Sequence, residues 1–397
     1  FHMGTLKKDG VDAKVAIENM KIPDEENHDE ALMQAWDDIT NEALDVKEVK
    51  SARAEEIAFV NKTGLYIRRS IKECYDVTGK APITTRWIDI NKGDREHPNY
   101  RSRLVAREIK RDKREDLFAG TPPIEAHKVV LSLLATDNKG RSLMINDVRR
   151  ASFNAKCHRD VYIVIPDEDR QDGDEGMCGK LKWSLYGTRD AAQNWYLEYS
   201  STLVGIGFKQ GTASPCVFRH AERDLTTHVQ GDDYVTAGAP EDLKWMEQEL
   251  EKHHELKTEV LGGHKEEVKE LRVLNRIIRW TSKGIAYEAD PRHVELVVQQ
   301  LRLEECKTVS TPGTKEEGCT QTGKDVALDK ERASLYRAPT ARCNCLSTDR
   351  PDIAYATKEL ARDMSAPARG SWGRLKRMGR YLKGKQRLVC WFEWQSA

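Results

Sequence analysis

The chain has 397 residues, 39% of them hydrophobic and 33% charged, and its 65 Lys+Arg balance 65 Asp+Glu to a formal net charge of zero. At roughly 150 residues per domain, that length predicts two or three domains or subdomains with real cores. The neutral balance excludes a whole-chain attraction to nucleic acid or membrane, and no apolar run approaches the ~20 residues that span a bilayer.

In chain order, residues 1–55 are polar and acid-rich ("PDEENHDEALMQAWDD") and read as a loosely ordered N-terminal arm with one or two short helices. "TTRWIDINKGD" (84–94) reads as a strand entering a turn, and "YRSRLVAREI" (100–109) as its partner. "KRDKRED" (110–116) is mixed charge and predicts a solvated segment. "EAHKVVLSLLATDNKG" has apolar residues at 129, 130, 133 and 134 before a glycine stop, which predicts a helix. "SLMINDVRRASF" (142–153) reads as a strand breaking into a turn, and "DVYIVIPDED" (160–169) as a further strand.

Between 188 and 207, Ala192, Trp195, Tyr196, Tyr199 and Leu203 form one helical stripe. Strands around two turns are expected over 216–238, and an amphipathic helix over 240–256. Residues 267–290 read as a β-hairpin turning at "SKG", followed by a helix with Asp290 as N-cap and Pro291 at its first position. Residues 307–330 form a polar linker, and two or three helices reach to about 384. The domain organisation is thus an arm (1–55), a main body (56–306), a linker (307–330) and a helical basic segment (331–397). Nine scattered cysteines and no signal peptide predict free thiols. The chain opens on "FHM" without a targeting pattern, which reads as a piece of a longer frame inside the cell, in cytoplasm, virus-like particle or nucleus.

Two local patterns carry chemistry. Between Met364 and Phe392 there is no acidic residue, while Arg374, Lys376, Arg377, Arg380 and Lys383 recur along one predicted helix. That pattern is either a solvated basic face or a groove that follows phosphates. The second is "HVQGDDYVTAG" (228–238), where Asp232 and Asp233 stand side by side in an apolar stretch after Gly231. Like charges at a turn are poor structure and good ligands for a hard cation such as Mg²⁺. Asp147, late in the apolar strand "LMINDV", is the third member. A strand–helix–hairpin order can bring the three carboxylates together. Two metals held there suit in-line phosphoryl transfer; a nuclease or phosphatase uses clustered aspartates as well.

Taken in order, "YRSRLVARE", "INDVRRASFNAKCHRDVYI", "KWSLYGTRDAAQNWY", "GFKQGTASPCVF", "GDDYV", "STPG", "DRPDIAYATKELARDMSAP" and "WGRLKRMGRYLKG" resemble the reverse transcriptase of copia-type retrotransposons, over roughly residues 80–390. The resemblance implies an α+β right-hand polymerase with fingers, a βαββ palm and a thumb, followed by a C-terminal helical basic segment. It implies RNA-directed DNA polymerase activity on a primed RNA or DNA template with dNTPs, and two Mg²⁺ ions (Mn²⁺ as a substitute) held by Asp147, Asp232 and Asp233. It assigns Arg101 and Arg103 to the incoming triphosphate, and Tyr186 and Gly187 to the nascent base pair. Trp195 falls at a core position of the palm helix. The basic stretch 369–387 matches the region leading toward an RNase H domain, whose carboxylates do not follow here. No membrane partner is implied, and oligomeric state is left open.

Two departures stand out. The family's aromatic residue five positions after the first aspartate, which walls the sugar pocket, is Ser152 here, with Phe153 beside it. Gln230 replaces the tyrosine of the family's "YVDD". These keep a second expectation alive: a catalytically inactive retrotransposon remnant that only binds nucleic acid.

Overall fold

The computed structural model describes residues 34–40, 42–94, 96–109, 117–136, 140–314 and 326–395. A short hairpin, β1 (Ala35–Trp36) with β2 (Ala43–Leu44), leads into α1 (Val46–Thr63), β3 (Tyr66–Ser70), α2 (Ile71–Thr78), β4 (Thr85–Asn91) and β5 (Tyr100–Ala106). Next come α3 (Ile124–Thr136), β6 (Ser142–Val148), β7 (Tyr162–Ile163), β8 (Met177–Leu181) and α4 (Ala191–Gly205). Then follow β9 (Lys209–Gln210), β10 (Val217–His220), β11 (Leu225–Gln230), β12 (Asp233–Gly238), α5 (Pro240–Glu251) and β13 (Leu256–Leu261). The last stretch comprises β14 (Glu270–Val273), β15 (Arg276–Trp280), β16 (Gly284–Ala289), α6 (Arg292–Gln300), α7 (Lys330–Ser347), α8 (Pro351–Arg362), α9 (Arg369–Gly384) and β17 (Cys390–Glu393). The content is mixed helix and sheet, and the chain divides into two compact units.

The first unit comprises Phe1–Phe118 and Ser152–Trp195. Its α1 starts where Asp45 accepts from the Lys47 and Glu48 amides and ends at Gly64, φ 60°. A three-stranded sheet β3-β8-β7 and the β4–β5 ribbon pack around Val60, Leu65, Leu104, Phe153, Ile163, Leu181 and Leu185. In β5 the alternation is strict: Ser102, Leu104 and Ala106 are buried, while Arg101, Arg103 and Val105 are half-buried on the other face.

The second unit comprises Ala119–Ala151 and Tyr196–Ala397. Its six-stranded sheet has the order β13-β6-β12-β11-β10-β9, with every pair antiparallel. α3 lays Val130, Leu131, Leu134 and Ala135 on Leu143, Ile145, Val235 and Ala237 of that sheet. A four-stranded sheet β14-β15-β16-β17 adds Ile278, Ile285 and Tyr287 to the same core. α6 to α9 make a second core around Val297, Tyr336, Ile353, Leu375 and Met378.

Several expectations are corrected. The boundary at 55 falls inside α1, which runs unbroken from Val46 to Thr63, because Val49, Ile57 and Val60 form one buried face across it. Residues 267–290 are three strands: Leu274 and Asn275, both at φ near +50 to +60°, make an extra turn that side-chain chemistry alone does not announce. In α3 the buried side is 126, 127, 130, 131, 134 and 135, which leaves Val129 and Leu133 exposed. In α4, Ala191 rather than Ala192 is buried. α6 begins at Arg292, with Asp290 accepting the Arg292 amide from just outside. Segment 331–397 is not helical throughout, since β17 returns to pair with β16. Residues 110–116 and 315–325, and most of the arm, lie outside the described residues.

Candidate active site

The site grows from one register. β11 and β12 are joined by the two-residue loop Gly231-Asp232, because Gln230 pairs with Asp233. Gly231 sits at φ 66°, the first central position of a tight hairpin turn, where glycine carries no Cβ penalty. β12 then pairs with β6, so that Asp233 faces Asp147 directly. Directly opposed residues of antiparallel strands have α-carbons ~4.5–5.5 Å apart and side chains on one face. The turn is also tied to β6 by its backbone: the Val148 amide donates to the Asp232 carbonyl at 2.9 Å. Six of the seven β6 residues are buried and Asp147 alone is exposed, so its strand is held by the core while its own side chain lies at the surface.

The electrostatics agree with three converging charges. Burial, then the charges of Asp232 and Asp147, push the Asp233 carboxyl up to about 7. A divalent cation at this place removes that repulsion. Among the described residues no group of three or more His, Cys, Asp or Glu is arranged to hold a metal ion by itself. The donor set nonetheless fits Mg²⁺, which takes one or two carboxylates and completes its shell with substrate phosphates and water.

A fourth residue belongs to this row. Lys257 of β13 pairs with Asp147 on the side away from Asp233, so Lys257, Asp147, Asp233 and Gln230 stand side by side across four strands. Lys257 is exposed, and its ammonium lies 3.4 Å from Glu259. The sequence reading missed it. The strand "LKTEVL" is legible by its alternation, but the register that puts its lysine beside Asp147 is not.

The other predicted residues separate into two groups. Arg103 donates to the fully buried Glu56 at 2.8 Å, which makes it a partner in an internal ion pair. Arg101, on the same face of β5, makes no hydrogen bond or ion pair among the described residues, and its Nε is buried without a partner. Ser152 and Phe153 lie in a short 3₁₀ turn. Phe153 is 3% exposed and packs on Phe59 and Tyr186 with ring centroids 6.0 and 5.6 Å apart. Its ring is committed to the first unit's core. Ser152 is also buried. The Tyr186 carbonyl accepts the Ala106 amide at 2.7 Å, and Gly187 sits at φ 83° where an added Cβ would strike the Ala106 carbonyl oxygen. Trp195 is buried, as a core residue should be.

The basic helix is largely consumed by the protein itself. Lys383 donates to the Glu304 carbonyl and, at 2.9 Å, to that of Cys306; Arg380 donates to the Lys307 carbonyl at 2.6 Å; Arg377 donates to the Thr311 hydroxyl at 2.8 Å. Arg374 pairs with Asp363. Residues 304–311 form no strand, so their carbonyls lack ladder partners, and α9 supplies the donors. Of the five predicted phosphate contacts, only Lys376 remains exposed, its ammonium 5.9 Å from the Trp372 ring centre.

Comparison with known proteins follows the same line. A family model described as reverse transcriptase (RNA-dependent DNA polymerase) matches residues 74–315. The chain is 23% identical over 359 residues to the retrovirus-related Pol polyprotein from transposon TNT 1-94 of Nicotiana tabacum, covering 85% of this chain and 25% of that protein. It is 24% identical to the Pol polyproteins from transposons RE2 and RE1 of Arabidopsis thaliana, covering 76% of this chain and 20% of each. The chain therefore spans a fifth to a quarter of the length of these relatives. They bear out the resemblance to copia-type retrotransposon proteins. An apo telomerase structure from Candida tropicalis aligns at 9% identity with a TM-score of 0.31, over 64% of this chain and 63% of its own, a likeness too low to carry the fold.

Proposed function

The chain belongs to the reverse transcriptase (RNA-dependent DNA polymerase) family, and from that premise we propose that it extends a primer on an RNA or DNA template by nucleotidyl transfer from dNTPs. The observation that carries this reading is the direct pairing of Asp233 with Asp147 beside the Asp232 turn. In this reading the β6–β11–β12 sheet is the palm, the first unit supplies the fingers, and α6 to α9 include the thumb. Asp147, Asp232 and Asp233 would hold two Mg²⁺ ions, and these would supply charge stabilisation for ionising a primer 3′-hydroxyl and for pyrophosphate release. Asp233 must be ionised to serve, so its raised carboxyl makes cation binding and proton release one event. Lys257 stands on the same row, and Arg101 is the guanidinium we assign to the triphosphate, Arg103 being occupied by Glu56.

The reading of an inactive nucleic-acid binder loses support from α9, four of whose six cations bond within the protein, three of them to residues 304–311. Primer extension decides between them. Extension with Mg²⁺ or Mn²⁺ that is lost in Asp232→Ala supports the polymerase. Salt-dependent duplex binding without extension supports the remnant, and template cleavage without dNTPs supports a nuclease. Parallel reactions with rNTPs test sugar selection at Ser152.

A further inference from the structure

One buried pair on the catalytic face is unused by the mechanism above. His228 of β11 pairs across the strands with Val235, and Val235 with Ile145, two residues along each strand from the row that holds Gln230, Asp233 and Asp147 and so on the same face. His127, in the first turn of α3, meets it: Nδ1 of His127 and Nε2 of His228 are 2.9 Å apart, with the rings edge to face. Both side chains are 1% exposed. Their outer nitrogens, His127 Nε2 and His228 Nδ1, are buried without a hydrogen-bond partner among the described residues. Burial holds both imidazoles below their usual range, so the pair is neutral and shares one proton across its bond.

This arrangement is costly. Each orphaned nitrogen forfeits the hydrogen bond it had in water, whereas two apolar side chains of similar shape would lose nothing. The rest of the contact between α3 and this face is Val, Leu, Ile and Ala packing, which is non-directional and tolerates sliding. The imidazole bond is directional, and it lies at the end of the contact nearest the carboxylates.

We propose that His127 and His228 are positioning residues that pin the β11–β12 hairpin to α3, and that the core retains them at a cost in stability for the sake of that placement. Asp232 and Asp233 sit on the free end of the pinned hairpin. Without the pin, the free end of the hairpin is held to β6 by backbone pairing alone, so it frays and the Asp233–Asp147 pairing loosens without the core coming apart. The catalytic consequence rests on the polymerase reading; the mechanical one does not.

The test is the double variant His127→Leu/His228→Val in the full chain, with Thr340→Val as the control that removes a buried orphan hydroxyl far from the hairpin in sequence and on α7. Amide hydrogen exchange in metal-free protein is read for peptides covering 225–238. The double variant should unfold at an equal or higher temperature, yet exchange at the hairpin about 10-fold faster, while Thr340→Val leaves hairpin exchange unchanged. His127→Gln, whose amide can still bond His228, should keep the slow exchange. In primer extension, kcat should fall about 10-fold in the double variant with little change in the dNTP KM. Unchanged or slower hairpin exchange in the double variant overturns the proposal. So does a double variant that fails to fold, because the pair is then a requirement of the core. Should hairpin exchange rise while the parent shows no extension, the pin stands and the polymerase reading falls.

Discussion

Replacing Asp233 by Asn tests the electrostatics of the carboxylate row without any substrate. The Asp233 carboxyl stands at about 7 in the folded chain against an ordinary 3.8, raised by burial and by Asp232 and Asp147. Between those two values the folded state binds the proton and the unfolded state does not, so stability falls as pH rises through that window and is level outside it. About three units correspond to roughly 4 kcal/mol at full value. Asp233 is only part-buried, and solvent screening brings the expected penalty down to ~1–2 kcal/mol. Asp233→Asn should therefore be more stable than the parent by that amount at pH 8, and the gain should vanish near pH 4. Urea unfolding of EDTA-treated protein at both pH values measures it. Millimolar Mg²⁺ should stabilise the parent at pH 8 and the variant much less, since a cation relieves the same repulsion. A variant less stable than the parent at pH 8, or equally stabilised at pH 4, would refute the claim that these carboxylates meet.

Three further outcomes separate structural from functional cations and glycines. Arg103→Met should destabilise the first unit by roughly 3–5 kcal/mol, because Glu56 is left charged and buried, while Arg101→Met should leave the urea midpoint nearly unchanged and raise the dNTP KM several-fold. Lys383→Met should lower thermal stability with little effect on the salt dependence of duplex binding, whereas Lys376→Met should reduce the log–log salt slope by about 1, as measured by fluorescence anisotropy at several salt concentrations. Gly187→Ala should cost more than ~2 kcal/mol, read from urea denaturation, because its φ is 83° and the new Cβ would meet the Ala106 carbonyl.

Much of the site was legible in the letters. Asp147 is the one charge in a strand rich in apolar residues, and Asp232 and Asp233 follow a glycine between two strand-forming runs, so both the elements and their tips could be named in advance. The roles of the arginines could not. Arg101 and Arg103 are two apart on one face of β5 and look alike in sequence; Glu56 distinguishes them, and it comes from α1, 47 residues away. The basic run of α9 read as either a solvated face or a phosphate groove, because sequence counts charges and does not show which carbonyls lack partners. Phe153 stands one residue from the missing aromatic at 152, and its ring packs in the core beside Phe59 and Tyr186.

From its letters alone this protein could be read as a reverse transcriptase relative with its strands, helices and acidic turn in order, because hydrophobic period and turn chemistry are local properties of the chain. Register, partner choice and burial were decided only by the folded molecule. Asp233 meets Asp147, Lys257 joins them and His127 finds His228 through contacts between residues far apart in sequence. No local pattern encodes such contacts, because a strand can slide by two residues and keep every side chain on its face.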